Sequence, residues 1–175
     1  MMPKSNLVLI GMPGVGKSTI GVVLAKQLGL NFIDTDLLLQ TKTGCRLQQI
    51  IHDRGLEGFL DLEEKTILEL DARQSVIATG GSVIYSPQAM ETLSHNGHLI
   101  YLQISLGQLQ QRLDDMGQRG VVIEQNQSIE DLYRSRTKLY RHYGELVVDC
   151  DFQSPSQVVE RVKVAIAGTT GAIFP

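Results

Sequence analysis

No apolar stretch of this chain approaches the roughly 20 residues needed to span a bilayer, and its first residues hold no apolar signal-peptide core. A membrane role is therefore not expected. The net charge is −3 and there is no long basic run, so the electrostatic footprint of a nucleic-acid binder is missing. The only two cysteines, Cys45 and Cys150, are isolated and form no C-x-x-C pair. Reduced thiols in a cytoplasmic protein are the expectation, with neither serving as ligand or nucleophile. The four histidines, His52, His95, His98 and His142, lack metal-ligand spacing and read as surface or structural residues. No internal repeat and no domain boundary interrupts the 175 residues. That length suits one domain with a substantial core, spanning 1–167, followed by a loose Gly/Thr-rich tail over 168–175. A monomer is expected.

Against these absences stands one strong positive signal. Gly11-Met12-Pro13-Gly14-Val15-Gly16-Lys17-Ser18 fits G-x-x-x-x-G-K-[ST], the phosphate-binding P-loop. The apolar run Leu7-Val8-Leu9-Ile10 before it suits a buried strand, and Ile20, Val23, Leu24 and Leu28 after it recur at helical spacing. Glycines let the backbone wrap closely around phosphate so that successive N–H groups point inward. Lys17 adds a mobile positive charge, Ser18 a hydroxyl suited to Mg²⁺, and the helix N-terminus a partial positive charge. Gly11, Gly14, Val15, Gly16, Lys17, Ser18 and Thr19 are thus the candidate cradle for a nucleoside triphosphate.

Further β-type runs occur at Asn31-Phe32-Ile33, Val76-Ile77-Ala78, Leu99-Ile100-Tyr101-Leu102 and Leu146-Val147-Val148, separated by helical patterns. Such alternation predicts an α/β fold, a mainly parallel sheet covered by helices on both faces. Ser105 is placed to cap a helix with the stripe Leu106, Leu109, Leu113 and Met116. Ser128 with Asp131 opens another helix, and Ser154-Pro155 the last, striped by Val158, Val159, Val162 and Ile166. The polar segment between the first two of these helices, about 116–127, is a candidate lid.

Asp34-Thr35-Asp36 follows the second strand, and ligands of an open parallel sheet gather at the carboxyl ends of its strands. One carboxylate there suits water around Mg²⁺, and the other suits an acceptor hydroxyl and its proton. Capping of the next helix would also explain either aspartate. Thr79-Gly80-Gly81 follows the third strand, where paired glycines permit close backbone approach to a ligand, although a plain turn fits equally well. Arg136 has Leu132, Tyr133, Leu139 and Tyr140 as its helical neighbours and so faces inward, where an unpaired charge is costly. Its partner is either a structural carboxylate, with Glu63 on the stripe between Leu60 and Ile67 a candidate, or a bound anionic substrate.

The ordered set resembles the shikimate kinase family from the first strand to the last helix. It comprises the P-loop, Asp34-x-Asp36, Gly55 with Phe59 and Glu63, Thr79-Gly80-Gly81, Arg112, Arg119, and Arg136 with Leu139-Tyr140. The resemblance implies a nucleoside-monophosphate-kinase-like three-layer α/β/α P-loop fold with a five-stranded parallel sheet of order 2-3-1-4-5. It also implies transfer of the ATP γ-phosphate to the 3-hydroxyl of shikimate, a small hydroxy-acid, in aromatic amino-acid biosynthesis. On that basis Lys17 holds the β- and γ-phosphates, and Ser18 and Asp34 serve Mg²⁺ and its water shell. Asp36 binds the acceptor hydroxyls and acts as base. Gly80 and Gly81 present N–H groups to the substrate, and Arg119 swings in on the lid. Arg112 and the segment near Gln153 flank adenine, while Arg136 grips the acceptor carboxylate.

Several positions depart from the family pattern. Leu60 stands where an arginine usually joins the one matching Arg136, and Ser82 replaces the third glycine after Thr79. Leu56 follows Gly55, Gly120-Val121-Val122 follows the lid arginine, and Lys138 replaces a proline. Loss of one charge-assisted partner corresponds to about 1.5–3 kcal/mol, which makes Leu60 and Ser82 candidate specificity residues. Two other readings stay open: the same kinase acting on a different hydroxy-acid or polyol, and an ATP-binding regulatory protein without turnover. Intact Lys17, Asp36 and Arg119 argue against the latter. No Asn-Lys-x-Asp follows a strand, which disfavours a GTPase, and a nucleoside-monophosphate kinase would not explain Asp36 together with inward Arg136.

Overall fold

The computed structural model describes residues 4–115 and 128–170. Its centre is β1 (Asn6–Ile10), buried along its whole length. Apolar side chains on both faces of a strand require cover on both sides, and only an interior position between two helical layers supplies it. β1 accordingly lies in the middle of a five-stranded sheet of order β2-β3-β1-β4-β5, with β2 at Asn31–Asp34, β3 at Ser75–Ala78, β4 at Gly97–Gln103 and β5 at Leu146–Asp149. All four pairings are parallel, with Leu9 opposite Ala78 on one side and Ile100 on the other. The expected architecture and strand order are both present.

The helices are α1 (Lys17–Leu28), α2 (Thr35–Thr43), α3 (Leu47–Leu68), α4 (Pro87–Asn96), α5 (Leu106–Asp115), α6 (Ile129–Tyr143) and α7 (Pro155–Thr170). α1 and α7 pack on each other and against β2, β3 and β5, whereas α3, α4 and α6 gather around a 3-10 turn at Val83–Tyr85. Ser105 and Ser154 accept from N–H groups of Gln108 and Gln157, and Ser128 from Asp131, as the capping pattern predicts. Beside the main core, Leu39, Ile50 and Phe59 form a small satellite core between α2 and α3. α3 itself is broken at Gly55, where φ is 70°.

One expectation needs correcting. α7 continues through Gly168 to Thr170, so the loose tail does not begin at 168. The stripe Val158, Val159, Val162 and Ile166 is buried and anchors the helix, and one interior glycine, at about 1 kcal/mol, is too small a penalty to end it. The candidate lid, including Arg119, and residues 171–175 lie outside the described residues, as does Met116.

Candidate active site

The P-loop joins β1 to α1. Gly16 is the N-cap of α1 with φ 103°, a left-handed conformation that a side chain would strain, and it makes no side-chain cap. The first helical N–H groups are therefore left for an outside acceptor, as an anion site requires. Lys17 is buried, and its Nζ donates to the carbonyls of Gly11 (2.7 Å) and Met12 (3.0 Å), folding back over the loop. Burial lowers its amine from 10.5 to about 8, with the charge of Asp36 opposing that fall.

Ser18 Oγ donates to Asp34 Oδ2 at 2.6 Å. The other oxygen, Oδ1, accepts from the N–H groups of Asp36 (3.0 Å) and Leu37 (3.2 Å). The cap thus fixes the Asp34 carboxylate, and its second oxygen accepts from the P-loop serine. On the opposite flank, Arg112 donates from Nη1 to Val15 O (2.9 Å) and from Nη2 to Cys150 O (3.1 Å), tying α5 to the loop. A cavity of about 280 Å³ there brings Arg112 and Gln153 together with Val15, Gly16 and Thr19.

The main cavity, about 360 Å³, has Lys17 and Ser18 on one wall and Asp36, Gly81, Ser82 and Arg136 on the others. Burial raises the Asp36 carboxyl above its ordinary value, partly offset by Lys17. Gly80 also lines the cavity and is packed so closely that a Cβ there would stand 2.1 Å from Glu63 Oε1 and 2.8 Å from Asp36 Oδ1, which no larger residue allows. Its N–H does not face a ligand as expected. It donates to Thr35 Oγ1 at 3.1 Å, because the close approach of β3 to the start of α2 puts that hydroxyl first in reach. Gly81 accepts from Tyr140 Oη at 2.6 Å, and Tyr140 in turn stacks on Tyr101 of β4 at 5.3 Å.

Arg136 is 3% exposed, yet among the described residues no carboxylate lies within 4.0 Å of it. The Glu63 alternative is not realised. Glu63 Oε2 accepts instead from Ser82 Oγ at 2.6 Å, and among the described residues Oε1 has no hydrogen-bond partner. Burial pushes Glu63 from 4.5 up to about 7; the Ser82 hydrogen bond opposes the rise and the Asp36 charge adds to it. Arg136 turns to Tyr85, donating from Nε to the phenol oxygen at 3.2 Å.

Leu60 does not line the main cavity. It borders an adjoining cavity of about 200 Å³, shared with Glu63, Ser82 and Tyr85. Phe59 already fills the cavity-facing position on α3, and the next helical residue points roughly 100° away. Arg46 and Arg54 are exposed and line neither cavity. Thr35 and Tyr85 were not legible as site residues. Thr35 sits between two aspartates that carried the motif, and Tyr85 depends on a 3-10 turn that no periodicity announces.

A buried P-loop lysine, a serine–aspartate pair, and a carboxyl and an inward arginine that share one cavity define an α/β/α phosphotransferase of the P-loop class. The comparisons narrow this. The chain matches the shikimate kinase family over residues 13–167 and belongs to that family. It is 34% identical over 174 residues to a shikimate kinase of Francisella tularensis subsp. novicida (strain U112), covering 97% of this chain and 99% of that one. A Sulfurihydrogenibium sp. (strain YO3AOP1) shikimate kinase is 31% identical over 162 residues, covering 92% and 97%. The solved shikimate kinase from Acinetobacter baumannii in complex with shikimate superposes with a TM-score of 0.86 at 29% identity, covering 94% of this chain and 93% of that one.

Proposed function

We propose that the chain transfers the γ-phosphate of ATP to the 3-hydroxyl of shikimate, acting as a cytoplasmic monomer. The observation that carries this reading is the placement of Asp36 and Arg136 on the wall of one cavity with Lys17. An acceptor that bears a hydroxyl and a carboxylate satisfies both at once: the carboxylate neutralises Arg136 while the hydroxyl meets Asp36. Shikimate, the acid bound in the related Acinetobacter baumannii enzyme, has both groups.

Each residue then has a physical task. Lys17 leaves the Gly11 and Met12 carbonyls for the donor's phosphates, and the free N–H groups at the start of α1 take the remaining charge. Asp36, raised by burial, accepts the hydroxyl proton as the acceptor oxygen bonds to the γ-phosphorus and the bond to the bridging oxygen of ADP breaks. Arg112 and Gln153 border the space for adenine, and Arg119 is the lid cation. Ser18 and Asp34 present two hard oxygens, and no cluster of three or more His, Cys, Asp or Glu exists among the described residues. That set suits Mg²⁺, which takes most of its ligands from water and phosphate. When bound there, the ion neutralises phosphate charge.

An ADP-release assay across shikimate, quinate, gluconate and nucleoside monophosphates tests the reading. Saturable turnover on shikimate at sub-millimolar concentration supports it, whereas turnover on another acceptor alone would transfer the same site to a different hydroxy-acid.

A further inference from the structure

Arg136 is held from behind by a residue to which the reaction itself assigns nothing. Tyr85 ends the 3-10 turn between Gly81 and α4, and its hydroxyl accepts from Arg136 Nε at 3.2 Å. Its ring also lies under the guanidinium, with Arg136 Cζ 5.3 Å from the centroid. The far end of the same guanidinium reaches the main cavity beside Gly81, where a Cβ would stand 3.0 Å from Nη1. Arg136 lines the main cavity and Tyr85 the smaller adjoining one, so the pair forms the partition between them.

A guanidinium offers a carboxylate either its Nε–Nη side edge or its Nη1–Nη2 end. Tyr85 occupies Nε and Tyr140 lies in hydrogen-bond contact with the same guanidinium, while its end reaches the cavity with Nη1 beside Gly81. The choice of holder also matters. A carboxylate in the place of Tyr85 would fix Arg136 equally well but cancel the charge that attracts an anion. A phenol hydroxyl and an aromatic face orient the cation and leave its charge unspent. Such a holder matters more here because Leu60 brings no second cation to the site, and Lys17 belongs to the phosphate loop.

We propose that Tyr85 is the positioning residue of the acceptor-anion clamp, fixing Arg136 so that its Nη1–Nη2 end receives a planar carboxylate. The inference rests on the reading that the acceptor is an acid bound at Arg136. Tyr85→Phe keeps the ring and removes the hydrogen bond, while Tyr85→Leu removes both; the side chain is partly exposed, so neither change opens the core. For Tyr85→Phe, KM for shikimate rises about 3- to 10-fold while kcat stays within about twofold and KM for ATP is unchanged. Tyr85→Leu raises KM for shikimate further. KM for the neutral carboxamide of shikimate does not move. In an Arg136→Met background Tyr85→Phe has no added effect. In the substrate-free protein, the Arg136 Nε–H signal in ¹⁵N NMR exchanges faster with water in Tyr85→Phe than in the parent. Equal KM increases for acid and carboxamide, additivity in the Arg136→Met background, or an unchanged KM for shikimate would each overturn the proposal. If the parent protein does not phosphorylate shikimate, the substrate reading falls. The Nε–H exchange then decides the positioning role, and unchanged exchange overturns it.

Discussion

Ser82 and Glu63 are joined by a hydrogen bond of 2.6 Å that links the loop after β3 to the C-terminal half of α3, 19 residues earlier in the chain. It is one of the opposing influences on a buried carboxyl that burial pushes from 4.5 up to about 7. Between those two values the folded protein keeps a proton that the unfolded chain has lost. Stability from this group is therefore highest at low pH and falls as pH rises through the window. Removing the serine hydroxyl weakens the ionised form selectively. Ser82→Ala accordingly costs little at pH 5 and about 1–3 kcal/mol at pH 8, read from urea denaturation at both values.

Lys17 behaves in the opposite sense. Its buried amine titrates near 8 rather than 10.5, so between those values the unfolded chain binds the extra proton. Stability of the unliganded protein therefore rises with pH across that window. Triphosphate affinity moves the other way, because a neutral amine gives the phosphates no charge. Calorimetric titration with a non-hydrolysable ATP analogue should show weaker binding above pH 8 and proton uptake near it. Lys17→Met should lose that pH-linked component.

Arg136→Met separates function from stability. Loss of a charge-assisted bidentate contact of about 1.5–3 kcal/mol raises KM for an acidic acceptor about 10- to 150-fold. The same change removes a buried cation that has no carboxylate partner among the described residues, and should stabilise the unliganded protein by about 1 kcal/mol or more. Acceptor kinetics and thermal unfolding on one preparation check both signs.

Leu60→Arg introduces a guanidinium at the rim of the adjoining cavity, next to Glu63. It should lower KM for shikimate by about tenfold, the lower end expected of one charge-assisted partner, and bring the Glu63 carboxyl down toward its ordinary range. Steady-state kinetics read the first effect, and urea denaturation from pH 5 to 8 reads the second. An unchanged KM would mean that the arginine stays with the acids of the smaller cavity.

What the sequence made legible is the part carried by local pattern. The P-loop, the five strands and a cap at one of Asp34 and Asp36 follow from glycine placement, apolar period and capping chemistry, all of which act over a few residues; which aspartate caps did not. The inward face of Arg136 was readable from helical spacing alone. Its partner was not: Glu63 lies on another element, and the choice between Arg136 and Ser82 was settled by three-dimensional reach. Gly80 shows the same limit, since its N–H goes to Thr35 across the α2–β3 junction. Leu60 was assigned to the acceptor side by the resemblance, as the place of a clamp arginine, but adjacent residues on a helix face different directions, and it lines the neighbouring cavity.

The most direct measurement is ³¹P NMR of the protein with Mg·ATP and shikimate. The account predicts one new phosphomonoester signal at the 3-position, formed in step with ADP. ATP left intact, or converted only to ADP and inorganic phosphate at any shikimate concentration, would contradict it.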